Sequence, residues 1–119
     1  MKQEKIIEAY RVLKNMAGES YPLPVAYSLY NLRKSMEPQA DFQLEQEKKL
    51  IEEFNGKPGD NGLINFGDQE NAQKFLEKLK ELGDLKVDFI FTPIDIPISG
   101  DIKITPNDIE KLDGFVNFV

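Results

Sequence analysis

Apolar residues at the start of the chain recur every three or four positions. The stripe consists of Ile6, Tyr10, Leu13 and Ala17. This spacing places side chains on one face of a helix. Gly18 follows the last apolar position, where helices commonly end. The pattern therefore predicts a first helix over residues 2–17.

A second stripe with the same spacing is much longer and covers residues 24–54. Its apolar members are Ala26, Leu29, Tyr30, Met36, Ala40, Leu44, Leu50, Ile51 and Phe54. The intervals approach the heptad of helices that pack side by side. Because Pro38 has no backbone N–H to donate, we expect either one kinked helix or two helices that meet near Glu37. The two stripes together predict an antiparallel helical hairpin over residues 1–54.

The next segment is rich in turn-forming residues. Residues 55–62 contain three glycines and one proline, which predicts a loop. Residues 63–66 then resemble a short strand. A third amphipathic helix follows, with Asp68 as its N-cap and Gly83 at its end.

From residue 86 the apolar period changes to two, which is typical of strands. Pro93 and Pro97 cannot donate to a sheet ladder, so residues 86–98 are predicted to form an edge strand or an extended arm. Ile102 and Ile104 continue the alternation beyond this segment.

The last part of the chain predicts a short helix and an apolar tail. Thr105 and Pro106 are a favourable helix start, and the helix should end near Gly114. The tail after it is either docked in the core or offered to a partner. The fold class predicted is α+β in a single domain over residues 1–119. The helical hairpin is followed, over residues 63–119, by a small sheet with one covering helix and a short C-terminal helix.

The composition excludes several kinds of chemistry. There is no Cys and no His, which removes disulfides, thiol nucleophiles, Cys/His zinc sites and the imidazole base of Ser-His-Asp triads. The loop after residue 54 does not match a calcium loop, because Lys57 and Gly59 stand where oxygen ligands are needed. We therefore expect no enzyme and no catalytic, cofactor-binding or metal-binding residues. A small hydrolase that uses carboxylates and a cation is the remaining enzymatic alternative.

The net charge of −6 is unevenly distributed. Residues 1–36 hold six Lys or Arg against three Glu, which gives +3, and the remainder holds nine basic and eighteen acidic residues, which gives −9. An acidic chain argues against general nucleic-acid binding. The asymmetry reflects either solvated helix faces or charge complementarity, within the fold or between copies.

No apolar stretch approaches the roughly 20 residues of a membrane span, and the start is not a secretory signal. We expect the chain to stay in the cytosol of the cell that makes it.

Three groups of residues are candidates for contact with another protein. They are Tyr27, Tyr30 and Arg33 in the second predicted helix, Ile94, Ile96 and Ile98 in the alternating segment, and Phe115 and Phe118 in the tail. The tyrosines could instead stack on single-stranded nucleic acid or pack where the first two helices meet. The isoleucine segment could add to the sheet of another protein or be an edge strand that faces the core.

Several short motifs, taken in order, carry a family resemblance. They are Ile6 to Tyr10, Leu23 to Leu29, Asn31 to Lys34, the alternating segment from Leu85 to Ile96, the helix start from Ile104 to Ile109, and the closing Phe115 and Phe118. The chain thereby resembles a family of small uncharacterised proteins encoded by tailed phages and prophages of Firmicutes. Pro38 departs from the unbroken charged helix of that family. The resemblance implies a phage-derived gene and supplies no activity.

Three functions follow as hypotheses. The first is a protein–protein interaction module of a phage or prophage, serving particle or tail assembly, with a phage structural protein, a host protein or a second copy as partner. The second is an acidic inhibitor that mimics nucleic acid, which requires the carboxylates of residues 37–53 and 68–81 to form one continuous face. The third is the carboxylate-dependent hydrolase.

Overall fold

Four helices and two pairs of short strands are present in residues 1–60, 62–98 and 103–119, the part of the chain that the computed structural model describes. The helices are α1 (Gln3–Met16), α2 (Leu23–Glu53), α3 (Gln69–Gly83) and α4 (Pro106–Lys111). The strands are β1 (Lys57–Pro58), β2 (Ile64–Asn65), β3 (Ile94–Ile96) and β4 (Val116–Phe118). The predicted α+β class with an N-terminal helical hairpin is confirmed. None of these helices is both long and apolar enough to cross a membrane.

The first helix lies at the centre of the core. It packs against α2, α3 and α4. Of its predicted apolar stripe, Ile6 and Leu13 are buried, Tyr10 is half-buried and Ala17 is exposed. The core combines Ile6, Ala9, Val12, Leu13 and Met16 of α1 with Leu29, Leu32, Met36, Ile96, Leu112, Phe115 and Val116. The predicted stripe therefore identifies part of the buried face of α1, which also includes Ala9, Val12 and Met16.

The second helix continues through Pro38 without a break. Pro38 is exposed, so the hydrogen bond that its ring removes, to the carbonyl of Lys34, is lost on the solvent side of the helix. Water can take the place of the missing donor there, which makes the proline tolerable. The sequence allowed either one kinked helix or two helices that meet near Glu37, and the structure has a single helix.

The strands form two separate pairs and not one sheet. The strands β1 and β2 are an antiparallel hairpin, whereas β3 and β4 pair in parallel, with Ile94 opposite Val116. The apolar tail is thus docked, because it forms β4. Helix α3 packs on α1 and α2, and the ring of its Phe75 lies 4.6 Å from that of Phe66, the residue that follows β2. The sequence predicted one small sheet covered by one helix. In the structure α3 does not cover the β3–β4 pair.

Most of the alternating segment is extended but forms no strand. Residues 87–93 have no ladder partner within the described chain, and pairing begins only at β3. Val87, Phe89 and Phe91 are half-buried against the core, while Asp88 and Ile90 are exposed. The strand predicted from residue 86 is wrong over this stretch, and the extended arm that was its alternative is what the structure has. The continuation of the alternation at Ile102 lies outside the described residues.

The beginning of α1 is fixed by backbone pairing with the segment after α3. The N–H of Gln3 donates to the carbonyl of Leu85 over 2.8 Å, and the N–H of Val87 donates to that of Met1 over 2.7 Å. Lys2, at the N-cap, contributes no side-chain hydrogen bond to the helix. These long-range contacts therefore replace the local cap that most helices carry.

Replacing Gly56 with alanine is expected to lower the free energy of unfolding by about 1–3 kcal/mol, the usual cost of overpacking. A Cβ atom at this position would lie 2.7 Å from Ile64, 2.8 Å from Phe66 and 2.9 Å from Ile51, which form a small apolar cluster at the far end of α2. Urea unfolding followed by circular dichroism measures the loss. Gly18→Ala is the matched control, because its nearest neighbour is a carbonyl oxygen at 3.8 Å. Equal stability of the two variants would contradict the tight packing at Gly56.

Candidate functional site

The outer side of α2 exposes large apolar side chains at its N-terminal end. Leu23, Tyr27 and Tyr30 are 81%, 65% and 47% exposed. Their spacing of four and three residues places them on one helix face, away from the buried face that carries Leu29 and Leu32. A single exposed apolar residue needs no explanation, but a contiguous group of them marks a contact surface.

Two cations flank the aromatic ring at the end of this group. The guanidinium carbon of Arg33 lies 5.8 Å from the ring centroid of Tyr30, and the Nζ atom of Lys34 lies 5.7 Å from it. Both distances are within the range of cation–π attraction. We call Leu23, Tyr27, Tyr30 and Arg33 together the aromatic patch.

A hollow of about 170 Å³ borders the patch where α1 ends and α2 begins. Its lining includes Leu13 and Met16 of α1 together with Tyr30 and Arg33. Tyr21 also lines it, and within the described part of the chain its hydroxyl is buried with no hydrogen-bond partner. Burial raises the pKa of Tyr21, and the carboxylate of Glu19 raises it further. The hollow thus joins an apolar floor to polar groups at its rim, which suits an apolar side chain of another molecule.

The predicted contact residues separate into two groups. Tyr27, Tyr30 and Arg33 come together in the aromatic patch. The other five lie in or beside the β3–β4 pair and are Ile94, Ile96, Ile98, Phe115 and Phe118.

Burial decides which of the five could touch a partner. Ile96 and Phe115 have no exposed area and belong to the core, so in this fold they offer no contact surface. Ile94 and Phe118 are half-buried against the core, and Ile98 is exposed. The expectation of a contact role for Ile96 and Phe115 is therefore corrected, because their side chains are fully buried in the core.

The outer edge of β3 has few groups to offer an incoming strand. The N–H groups of Ile94 and Ile98 donate to carbonyls of Phe115 and Val119, so the residues between them, Asp95 and Pro97, face away from β4. Pro97 has no N–H. A strand added along this edge of β3 would therefore find one backbone N–H donor, that of Asp95. Of the two alternatives for the isoleucine segment, this favours an edge strand that proline protects from pairing over an arm that adds to another sheet.

Three exposed apolar residues of α2 were not among the predicted contacts: Leu23, Phe42 and Leu44. Leu23 extends the patch, and Leu44 lies six residues beyond Pro38. The signal for Leu23 was its spacing of four and seven residues from Tyr27 and Tyr30. Leu44 was counted with the core stripe, and nothing local to it distinguishes it from the buried members.

Carboxylates are numerous but dispersed. Among residues 1–60, 62–98 and 103–119, no three Asp or Glu side chains lie close enough together to share a metal ion. Asp68 lines a wide, open hollow next to the β1–β2 hairpin, and its carboxylate accepts a hydrogen bond from the N–H of Asn71 over 2.7 Å. That carboxylate therefore acts as the cap of α3.

The fold and the site define a small α+β domain whose longest helix exposes an aromatic and cationic face. Comparison with protein-family models, with curated proteins and with solved structures found no match. Inference about function therefore starts from the contacts and charges of the chain itself.

Proposed function

We propose that this chain is a protein–protein interaction module that binds its partner through the aromatic patch of α2. The observation that carries the proposal is the exposure of Leu23, Tyr27 and Tyr30 on one face of a long helix. Tyrosine and arginine are enriched at the energetic centres of protein interfaces. A rigid helix that presents both, next to a hollow of side-chain size, is suited to this use.

A protein partner fits the patch better than a nucleic acid does. Phosphate contacts need clustered, available cations. Lys34 already forms an ion pair with Glu37 at 3.2 Å, and the same helix continues with Asp41 and Glu45. The face therefore carries both signs of charge, as protein interfaces do.

The alternative of an acidic mimic of nucleic acid has less support. It requires the carboxylates of α2 and α3 to form one continuous acidic face. Ion pairs interrupt both helices: Glu45 with Lys49 at 3.4 Å, Glu70 with Lys74 at 3.2 Å, and Glu81 with Lys78 at 3.4 Å. Lysines placed among the acids in this way neutralise the field that such a mimic would need.

The setting of the proposed interaction is a phage or prophage gene expressed in the cytoplasm of a bacterial host. It rests on the order of sequence motifs, from the helix at Ile6 to the closing Phe118. In that setting a phage structural protein, a host protein or a second copy of the chain would be the partner, and assembly of the particle or tail would be the role.

Introducing two charges into the patch, with Tyr27→Glu and Tyr30→Glu together, is expected to weaken partner binding by at least about tenfold, because aromatic anchors dominate interface energies. Light scattering measures self-association, and capture from a lysate of bacteria that carry the gene measures binding to other proteins. Ile90→Glu is the matched control, since Ile90 is 87% exposed and lies outside α2. Retained binding in the double variant, with loss in the control, would place the contact surface elsewhere and refute the proposal.

A further inference from the structure

The outer face of α2 has a palindromic order of side chains about Glu37. Tyr30 and Leu44 lie seven residues to either side of it, and Arg33 and Asp41 lie four residues to either side. Intervals of three, four, four and three keep all five on one stripe of the helix. In a helix of the opposite direction, Leu44 takes the position of Tyr30, so that an apolar residue stands in the same place. Asp41 takes the position of Arg33, so that the charge there has the opposite sign.

These side chains are free to meet another molecule. Tyr30 and Leu44 are both about half exposed, and Asp41 is exposed. Within the described part of the chain, neither Arg33 nor Asp41 forms an ion pair. Arg33, which is half-buried, thus has no carboxylate of the described chain as a partner and Asp41 has no cation, and the two charges lie on opposite sides of Glu37.

Two hollows flank the stripe where α1 packs against α2. One, of about 170 Å³, lies beside Tyr30 and Arg33. The other, of about 260 Å³, lies beside Asp41 and Leu44. Because they lie on opposite sides of Glu37 along the same helix, an opposed helix with the same spacing would find a recess near each of its apolar side chains.

We propose that the partner of this face is a second copy of the same chain, with its α2 antiparallel and the twofold axis near Glu37. This inference rests on the proposed function and names the partner of that surface. The axis would place Arg33 opposite Asp41 of the second copy and Tyr30 opposite its Leu44, and symmetry repeats each contact. The near-heptad spacing of α2 suits such side-by-side packing.

The arrangement is specific for the antiparallel direction. A parallel pair would bring Arg33 against Arg33 and Asp41 against Asp41, and like charges opposed in this way are unfavourable. Near the twofold axis the two Glu37 side chains approach each other. Each is accompanied by Lys34 of its own helix at 3.2 Å, so the charge at the axis is balanced.

Charge exchange across the twofold axis tests the inference. Arg33→Glu alone would face Asp41 of the second copy, and Asp41→Arg alone would face its Arg33, so each variant should raise the dissociation constant of the dimer by on the order of a hundredfold. An equal mixture of the two variants should form a heterodimer with near wild-type affinity, because both contacts then pair opposite charges. Native mass spectrometry separates the heterodimer from the homodimers by mass, and sedimentation equilibrium gives the constants.

Asp88→Arg is the control, since it exchanges an exposed charge outside α2 and should leave the dimer unchanged. Circular dichroism checks that each variant is folded. Should one variant fail to fold, Arg33→Gln and Asp41→Asn take the place of the exchange. Each alone should weaken the dimer, and mixing the two should recover part of the affinity, because the heterodimer keeps one Arg33–Asp41 pair.

The outcomes separate this inference from the proposed function. A monomeric wild-type chain, or a dimer that is indifferent to both exchanges, overturns the inference. If that monomer still captures a protein that the Tyr27 and Tyr30 double variant does not, the interaction module stands with a different partner. A monomer that captures no protein overturns both.

Discussion

Replacing Phe115 with alanine is expected to lower the free energy of unfolding by about 3–5 kcal/mol, the usual range for a fully buried phenylalanine. The ring has no exposed area. Its centroid lies 4.9 Å from that of Phe91 and 6.3 Å from that of Phe89, and the Nζ atom of Lys5 lies 5.8 Å from it. Alanine would therefore remove the common neighbour of α1 and of the extended segment over residues 87–93.

Urea unfolding followed by circular dichroism measures this loss. Phe42→Ala is the matched control, because Phe42 is of the same residue type but is 38% exposed and lies outside the core, so its replacement should cost clearly less than that of Phe115. A small effect at Phe115 would mean that the tail is not docked in solution. The apolar C-terminal residues would then be available to a partner, as one of the two readings of the sequence allows.

The starts of α3 and α4 could be predicted because their signals are local. The carboxylate of Asp68 accepts from the N–H of Asn71 over 2.7 Å, and the hydroxyl of Thr105 accepts from that of Asp108 over 3.2 Å. Both caps act within three residues of the helix start, so the sequence around them contains the whole interaction. The alternation of Val87, Phe89 and Phe91 is equally visible, and it correctly identifies the side of the extended chain that faces the core.

The pairing of the strands could not be predicted, because it depends on long-range contacts. Ile94 pairs with Val116, 22 residues further along the chain. Period-two alternation shows that an extended segment is buried on one side, but it says nothing about whether another strand lies beside it. Residues 88–93 have the pattern but no strand partner in the described chain, whereas β3 has both.

The candidate site was predicted in part, and the missing part has a geometric cause. Tyr27, Tyr30 and Arg33 were identified by type and position, but Leu44 was assigned to the core. The buried face of α2 carries Leu29, Leu32 and Met36 and continues at Gln43. Leu44 is the next residue, about 100° further round the helix, so it is exposed although it is the apolar residue of the two. The polar residue Gln43 therefore occupies the buried position that hydrophobicity alone assigns to Leu44.

Replacing Ile96 with alanine is expected to lower the free energy of unfolding by about 2–5 kcal/mol, whereas Ile98→Ala should change it by no more than about 0.5 kcal/mol. Both residues follow the same alternation and face β4, but Ile96 is completely buried and Ile98 is 70% exposed. Thermal and urea unfolding of the two variants give a comparison in which the residue type is the same and the burial of the side chain differs. A cost at Ile96 as small as that at Ile98 would mean that β3 is detached from the core in solution, and the Ile94 to Ile98 segment would then be free to add to the sheet of another protein in spite of its prolines.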